Sequence, residues 1–225
     1  MDLSQAKRLA DMASVLSEQP DVASTLDQIM TQARLIIACD AVGVLLVEEG
    51  GRLAAASLPD RPVTRAGVLQ LTGQAGPCYD SVEAVESLVI DDTSRDRRWP
   101  GWSAGVARLG WRSVLSLRLF RSGGTLGALN LYARSEHAFS PDDLAVGQLA
   151  GAHASIAVAG AQQRDSLRTA VLSRHLIGQA QGMLMQRYQM DADRSFKVLQ
   201  RYSQDKNVKL RAVAEQVIGN RWLPE

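Results

Sequence analysis

The stretch SVLSLRLFRSGGTLGALNLY, residues 113–132, decides the fold. Leu115, Leu117 and Leu119 alternate with other residues, so they fall on one face of an extended strand. The turn signal Ser122-Gly123-Gly124 follows, and residues 125–132 come back as a second strand. This stretch therefore predicts an antiparallel β-hairpin with one apolar face, which needs further strands and helices to cover it.

The sequence before this hairpin predicts two helices and a second hairpin. Apolar residues recur every three or four positions in the first forty residues, with Pro20 between the two helices. Residues 42–47 are β-branched and apolar, Glu49-Gly50-Gly51 is a turn signal, and residues 52–57 form the returning arm. Residues 85–90 predict another strand. The first part of the chain is thus an antiparallel sheet flanked by helices.

The sequence after residue 140 is helical. Pro141 suits a first helical turn with Ser140 as its N-cap, and we expect one long helix over about 141–188. The first half of this helix carries a heptad-like stripe, formed by Val146, Leu149, His153, Ile156, Gly160, Gln163 and Leu167. The stripe fits either the contact of a homodimer, or a helix that packs on its own sheet and extends into solvent.

The last sixty residues predict an all-α bundle of three helices. Asp191 can cap the second helix and Asn207 the third, which Gly219-Asn220 would end. The apolar spacing assigns one face of each helix to the core, which would include Leu184, Tyr188, Phe196 and Val213. We therefore predict an α+β fold with two domains, residues 1–160 and 161–225, and the long helix crosses their boundary.

Composition and charge narrow the class of function. The chain has 225 residues, of which 46% are hydrophobic and 22% charged, as in a globular protein with a core. No uninterrupted apolar run reaches the roughly 18 residues of a membrane span, and the N-terminus lacks a secretory signal. We expect a cytoplasmic protein with no membrane partner.

Nothing in the sequence indicates catalysis. Two cysteines, Cys39 and Cys78, and three scattered histidines offer no metal-ligand spacing. The chain has no phosphate-binding lysine loop and no nucleophile elbow. We therefore expect no catalytic residues, no metal site and no enzymatic activity.

The net charge of +1 hides two oppositely charged parts. Residues 164–225 carry 11 Lys and Arg against 6 Asp and Glu, a net charge of +5, whereas the preceding residues carry 14 against 18, a net charge of −4. Residues 194–211 alone hold six basic residues and only Asp205 opposing them. This bias favours a polyanionic partner for the C-terminal bundle.

The long connection over residues 58–111 is where a ligand would bind in the first domain. Long connections on a rigid scaffold often carry function, and Trp99, Trp102 and Trp111 all fall here. We take these three and Cys78 as candidate pocket residues. The alternative is that the tryptophans close the core and that Cys78 is a small buried apolar side chain.

Four segments of the C-terminal part carry a family resemblance. They are Ile177-Gly-Gln-Ala-Gln-Gly-Met-Leu-Met185, Ser195-Phe196, Arg201-Tyr-Ser-Gln204 and Asn207-Val-Lys-Leu210. In order and spacing they resemble the ANTAR family of transcription antitermination modules, over about residues 165–222. The resemblance implies a three-helix module that, usually as a dimer, binds two linked RNA stem-loops and so prevents formation of a terminator.

The resemblance also implies which residues meet RNA. A recogniser of stem-loops needs cations, polar side chains and close approach of its backbone. On this basis we expect RNA contacts from Gln179, Ala180, Gln181, Gly182, Arg201, Ser203, Lys209 and Arg211. The family commonly has Lys where Gln181 stands and Ala where Ser195 stands. For Ala180 and Gly182, close helix packing is the alternative.

The first 160 residues resemble the GAF sensory family. The resemblance rests on Gly76-Pro-Cys-Tyr79, Asp91-Asp92, Asp96-Arg-Arg-Trp-Pro100 and Gly127-Ala-Leu-Asn-Leu131. It is similar to the GAF half of actinobacterial GAF–ANTAR regulators, and it implies a cavity on one side of the sheet for a small-molecule ligand. Family members bind cyclic nucleotides, tetrapyrroles, haem or small metabolites, so the cofactor stays unknown.

Three functions follow from these patterns. The first is a regulator in which the GAF sensor modulates RNA binding by a homodimer. The second is a ligand-sensing regulator that binds DNA, because three short basic helices are also the format of a helix-turn-helix domain. The third is a GAF-type methionine sulfoxide reductase, for which two cysteines are fewer than the pattern requires.

Overall fold

The computed structural model describes residues 3–48, 50–58, 61–83, 87–122 and 124–220. The turn residues Glu49 and Gly123, and the start of the strand predicted at 85–90, lie outside these ranges. The elements in chain order are α1 (Leu3–Ser17), α2 (Val22–Ile36), β1 (Ala41–Val47), β2 (Leu53–Ser57), α3 (Arg61–Gly73), α4 (Pro77–Glu83), β3 (Leu88–Ile90), α5 (Pro100–Arg108), β4 (Ser113–Arg121), β5 (Gly124–Ala133), α6 (Pro141–Tyr188), α7 (Ala192–Asp205) and α8 (Leu210–Asn220). Contacts divide the chain into a first unit, residues 1–162, and a second unit, residues 163–225.

The first unit is built on the predicted antiparallel sheet. Its five strands lie in the order β2-β1-β5-β4-β3, and every neighbouring pair is antiparallel. The deciding hairpin forms as predicted, and β5 lies in the centre of the sheet between β1 and β4. The predicted fold class is confirmed: an α+β unit is followed by an all-α unit.

The two faces of the sheet differ in chemistry because side chains alternate along each strand. Leu117 pairs with Leu129 on one face, which is covered by α1, α2 and the start of α6. Ser116 pairs with Asn130 on the other face, which lies under α3 and α4. The first face is an apolar core, whereas the second has polar side chains buried in its middle.

Helix α6 begins where the sequence predicted. Ser140 Oγ accepts from the amide of Asp143 at 3.2 Å, and Asp143 Oδ2 accepts from the amide of Ser140 at 2.9 Å, which makes a capping box. Val146 is buried in the core of the first unit, but Leu149 and Ile156 are exposed. The helix therefore packs on its own sheet and still presents an apolar stripe.

Within the described part of the chain, α6 is the one helix long and apolar enough to cross a membrane. Nearly half of its apolar window is buried inside the protein. The buried side consists of small and branched residues that pack against the sheet, namely Val146, Ala150, Ala154 and Val158. This is the composition of a core helix.

The second unit is the predicted three-helix bundle, formed by the end of α6 with α7 and α8. Its core consists of Ala180, Leu184, Leu199, Val213, Ala214 and Val217. Asp191 caps α7 as predicted, since its carboxylate accepts from the amide of Arg194 at 2.7 Å.

Three predictions about the bundle are wrong. Asn207 does not cap α8; it ends α7 with a left-handed φ of 50°. The amide of Asn207 donates to Gln204 O and that of Val208 to Ser203 O, which is the Schellman arrangement. Asn tolerates this conformation because its short polar side chain costs little there.

Phe196 does not belong to the core. Ser195 and Leu199, four residues apart, are the fully buried residues of α7, and Phe196 is turned by about 100° from Ser195. Its side chain therefore lies at the edge of the buried face and is 38% exposed. Tyr188, at the end of α6, is also exposed.

Candidate functional site

The first candidate site covers the surface of the second unit around α6. Gln179 and Gly182 are exposed, and a Cβ added at Gly182 would meet no atom within 4 Å. Ala180, in contrast, is fully buried among Leu184 and Leu199. The geometry thus favours the packing alternative for Ala180, whereas at Gly182 the helix backbone is open to a partner.

Gln181 and Ser195, the two departures from the family pattern, bond to the same carbonyl oxygen. Gln181 Nε2 donates to Ala192 O at 3.1 Å, and Ser195 Oγ donates to it at 2.8 Å. Ser195 is fully buried, so this bond satisfies a hydroxyl that would otherwise be costly. Gln181 therefore replaces a cation with an oriented amide that holds α6 to the first turn of α7.

The remaining candidates lie on α7, on α8 and in the turn between them. Ser203 Oγ donates to Val208 O at 2.5 Å, so its hydroxyl proton holds the turn and only its lone pairs are left for a partner. Arg201 lies 3.6 Å from Asp205, and Arg211 Nε donates to Glu215 at 2.9 Å. Lys209 is exposed.

The electrostatic character of this surface is strongly positive. Five of the six basic residues in 194–211 are exposed, namely Arg194, Lys197, Arg201, Lys206 and Lys209. The two ion pairs along the helices are exposed and separated by four residues, so each contributes only about 0.3–0.5 kcal/mol. Both arginines can exchange their carboxylate partner for a phosphate at little cost.

The second candidate site is a buried polar cluster in the first unit, formed by Gln70, Cys78, Ser81, Ser116 and Asn130. All five side chains are buried between the sheet and the helices α3 and α4. Asn130 Nδ2 donates to Cys78 Sγ at 3.0 Å, and the Cys78 amide donates to Gln70 Oε1 at 2.9 Å. Gln70 Nε2 has no hydrogen-bond partner among the described residues.

Sequence reasoning selected only Cys78 from this cluster. A signal for the rest was present, because Asn130 stands among apolar residues in the central strand and pairs across the sheet with Ser116. Gly76 adds a backbone requirement: its φ is +144°, and a Cβ there would lie 2.5 Å from Gln70 Oε1. Gly76 and Asn130 both lie in segments that resemble the GAF family, but the resemblance alone assigns neither of them a role.

Neither thiol is activated. Burial raises the pKa of Cys78 to about 11 and that of Cys39 to about 11. Both thiols therefore stay protonated at neutral pH, and a thiolate nucleophile is disfavoured. Cys39 precedes β1 and Cys78 lies in the first turn of α4.

The three tryptophans are buried and pack in the second apolar cluster of the first unit. Trp99 and Trp102 meet edge to face with their ring centroids 5.8 Å apart, and Trp111 packs 5.6 Å from the ring of Tyr132. This packing favours the core alternative. Trp99 and Trp102 also line a surface cleft of about 470 Å³ between α3 and α5, which neither Trp111 nor Cys78 lines.

A network of charged residues supports the loop after β3. Asp92 accepts hydrogen bonds from the amide and hydroxyl of Ser94 and from Arg112. These bonds lower the pKa of the Asp92 carboxyl, and the hydroxyl of Ser94 has the largest effect. Arg112 also pairs with Glu136, and Asp96 with Arg98. The acidic positions of the GAF-like motif thus act as loop anchors. In the described ranges, no group of three His, Cys, Asp or Glu side chains could hold a metal ion.

Comparison with known families divides the chain at the same place as its contacts. The sequence model of the GAF domain matches residues 19–159, and that of the ANTAR domain matches residues 165–218. No curated protein matches the chain significantly.

Solved structures resemble mainly the first unit. The GAF domain of an Acinetobacter phosphoenolpyruvate-protein phosphotransferase is 14% identical, with a TM-score of 0.56 over 74% of this chain and 99% of its own. The free methionine-R-sulfoxide reductase from Neisseria meningitidis is 16% identical, with a TM-score of 0.55 over 72% of this chain and 95% of its own. A bacteriophytochrome from R. palustris is 10% identical, with a TM-score of 0.60 over 90% of this chain and 47% of its own. At these identities the likeness concerns the fold alone.

Proposed function

Since this chain belongs to the GAF domain family and carries an ANTAR domain after it, we propose that it is a sensor-controlled regulator that binds paired stem-loops in nascent mRNA and prevents transcription termination. A GAF domain followed by an ANTAR domain is a regulatory architecture and not an enzymatic one, and the ANTAR domain is an RNA-binding antitermination module. The stem-loop target and the control by the sensor are the proposal.

One observation carries the assignment of the RNA-binding face. Five of the six basic residues of 194–211 are exposed in the part of the chain that matches the ANTAR domain, Arg211 is half-buried, and the core of the bundle uses none of them. A surface of this kind attracts phosphates through counterion release. We propose that Arg201, Lys209 and Arg211 contact phosphates or bases, and that Gln179, Gln181, Gly182 and Ser203 approach the loop, while Ala180 supports the helix from inside.

The test is a binding assay at several salt concentrations with three nucleic acids. A two-hairpin RNA with short unpaired loops is compared with the same RNA after its loops are scrambled, and with duplex DNA. We expect the protein to prefer the intact loops over the scrambled loops and the duplex. Phosphate contacts alone would instead give binding to all three nucleic acids with a similar steep dependence on salt. Specific binding to the duplex alone would instead support a helix-turn-helix regulator.

For the sensor half we propose a small-molecule site on the polar face of the sheet. In the buried cluster around Cys78 and Asn130, Gln70 Nε2 has no hydrogen-bond partner among the described residues, and the cleft beside Trp99 and Trp102 lies against the same helix, α3. Trp111 would respond indirectly, through the apolar cluster it shares with them. The chemical identity of the ligand and the cofactor stay unassigned.

Tryptophan fluorescence tests the proposed ligand site, because three of the four tryptophans lie in the first unit and their emission responds to changes around them. A metabolite pool that changes the emission of the wild type should change it less in an Asn130→Leu variant that still unfolds cooperatively. An equal response from both proteins would place the ligand elsewhere.

We also propose that the protein is a cytoplasmic homodimer, paired through α6. Ile156 is 73% exposed and Leu149, one heptad earlier, is exposed too, so two copies of the helix can bury them together. Sedimentation across micromolar concentrations tests this. Ile156→Glu should produce a monomer, whereas Gln148→Glu, an exposed polar position on the same helix, should not. A monomeric wild type, with or without RNA, would refute it.

A further inference from the structure

Among the described residues of the second unit, five large apolar side chains are exposed, and Phe196 is the one that lies on α7; the others are Leu167, Val171, Leu172 and Tyr188 on α6. The spacing of Phe196 within α7 assigned it to the core, but the buried residues of that helix are Ser195 and Leu199. An aromatic side chain left at the edge of a small core, on a cationic domain, is the usual platform for an unstacked base.

The surroundings of Phe196 supply what a base would need besides stacking. In an α-helix the carbonyl of residue 192 points toward the amide of residue 196. Gln181 Nε2 bonds to that carbonyl, so its carboxamide lies beside the first turn of α7 with Oε1 still able to accept. A carboxamide can donate and accept at once, which suits the edge of a nucleobase.

The charges around this place fit the phosphates of the same strand. Lys197 follows Phe196 directly, and Lys206, the C-cap of α7, lies about 15 Å along the helix from Phe196. Lys209 follows in the turn before α8. Asp193 and Asp205 are the acidic residues on α7, against three basic ones, Arg194, Lys197 and Arg201. These three basic residues lie about 100–160° around α7 from Phe196, so a cationic stripe runs along the helix to one side of the ring. A strand that turns one base onto the ring could follow this stripe with its phosphates.

We propose that Phe196 and Gln181 form a binding site for a single unpaired nucleobase of the RNA loop. The ring of Phe196 stacks on the base, and the carboxamide of Gln181, oriented by Ala192 O, reads its edge. This inference rests on the RNA binding proposed above and assigns the loop-reading position within it.

The experiment starts from two-hairpin RNAs with randomised loops, from which the full-length protein selects its best binder. The fluorescent base 2-aminopurine is then placed at each loop position in turn. We expect one position where fluorescence is quenched on binding, because stacking on an aromatic ring quenches it. Phe196→Ala should abolish this quenching and weaken affinity by roughly 5- to 150-fold, with the salt dependence unchanged.

Three further variants separate stacking from packing. Phe196→Trp should keep the quenching, and Phe196→Leu, which retains bulk without a π-face, should lose it. Tyr188→Ala removes another exposed aromatic of the same unit and should leave quenching intact. Gln181→Ala should reduce the preference among the four bases at the quenched position.

The outcomes distinguish the two proposals. If the wild type selects loops but Phe196→Ala binds them with equal affinity and equal quenching, this site is refuted and the RNA-binding function stands. If no loop is preferred over duplex, the function itself is refuted and the site with it. If Phe196→Ala changes sedimentation of the free protein, the ring belongs to a contact between copies. Circular dichroism of each variant checks that the helices are retained.

Discussion

The two units of the chain place their polar side chains in opposite positions. The first unit buries Gln70, Ser116 and Asn130 within its sheet domain and covers them with helices. The second unit keeps its small core mainly apolar and exposes its cations, for example Lys197 and Arg201. A polar side chain that binds a small molecule can be buried in the domain, whereas one that binds a nucleic-acid backbone has to be exposed on the surface.

The difference also concerns what each unit can tolerate. In the first unit, close backbone contacts leave no room at certain positions, so substitutions there should affect stability. In the second unit, functional residues lie on open helix surfaces, so substitutions should affect binding and leave the fold intact. The predictions below test this contrast.

The largest effect is expected at Gly127, in the centre of the sheet. Its φ is +153°, and a Cβ there would lie 2.1 Å from Leu45 O on the neighbouring strand. Gly127→Val should cost at least about 4 kcal/mol in the free energy of unfolding, because backbone atoms cannot move aside. Urea denaturation followed by tryptophan fluorescence measures it.

A matched control is Gly124→Val, which shares a positive φ of 136° but has no atom within 4 Å of its Cβ position. It should cost clearly less, since only backbone strain is added. Equal losses for both variants would mean that the close contact of Gly127 with β1 does not limit stability.

Charge reversal of the basic surface should have the next largest effect. The triple variant Arg201→Glu, Lys209→Glu, Arg211→Glu should lower RNA affinity by on the order of 100-fold or more, because three attractive contacts become repulsive. Helical content should be unchanged, because none of the three side chains belongs to the core of the bundle. Arg201 and Arg211 each form one ion pair along their own helix. Filter binding and circular dichroism measure the two quantities.

The control makes the same change in charge on the first unit, with Arg52→Glu, Arg61→Glu and Arg121→Glu, all exposed. It should retain most of the RNA affinity. If both triple variants lose affinity equally, net charge rather than the face of the bundle governs binding.

The buried thiol of Cys78 should make the stability of the first unit depend on alkaline pH. Because the folded pKa of about 11 exceeds the usual 9.0, the unfolded chain ionises first. The contribution is complete below about pH 9 and is lost as pH rises toward 11, by up to about 2–3 kcal/mol.

Since lysines and tyrosines titrate in the same range, the measured quantity is the difference between the wild type and Cys78→Ala in urea denaturation at each pH. The wild type should lose more stability than the variant above pH 9. Parallel profiles would show that the thiol is not isolated from water in the folded state.

The smallest effect is expected at Gly182, where the helix is open. Gly182→Ala should stabilise the bundle by about 0.5–1 kcal/mol, because Ala suits a helix interior better than Gly. If RNA approaches the backbone here, the same methyl group should weaken RNA binding several-fold. Gly219→Ala, at an equally open helical position, should raise stability without changing affinity. Unchanged RNA affinity in Gly182→Ala would remove this residue from the interface.

Local sequence patterns predicted where helices and strands form more accurately than they predicted what single residues do within them. The alternation in residues 113–132 predicted β4 and β5, and the caps at Ser140 and Asp191 predicted where α6 and α7 begin. Asn207 was assigned to the wrong helix, because Asn suits both an N-cap and a left-handed C-terminal position. The left-handed φ of Asn207 and the hydrogen bonds from Asn207 to Gln204 and from Val208 to Ser203 distinguish them.

The sequence by itself determined the two-part organisation, the antiparallel sheet and the sign of charge on each part, because these depend on periodicity, turn residues and composition. The tertiary structure decided which side chains the helices bury. Packing of α7 through Ser195 and Leu199 left Phe196 at the surface, packing of α6 buried Ala180, and the pairing of β4 with β5 placed Ser116 beside Asn130. Each of these outcomes depends on how a neighbouring element is rotated and in which register it pairs, and a local pattern does not encode those quantities.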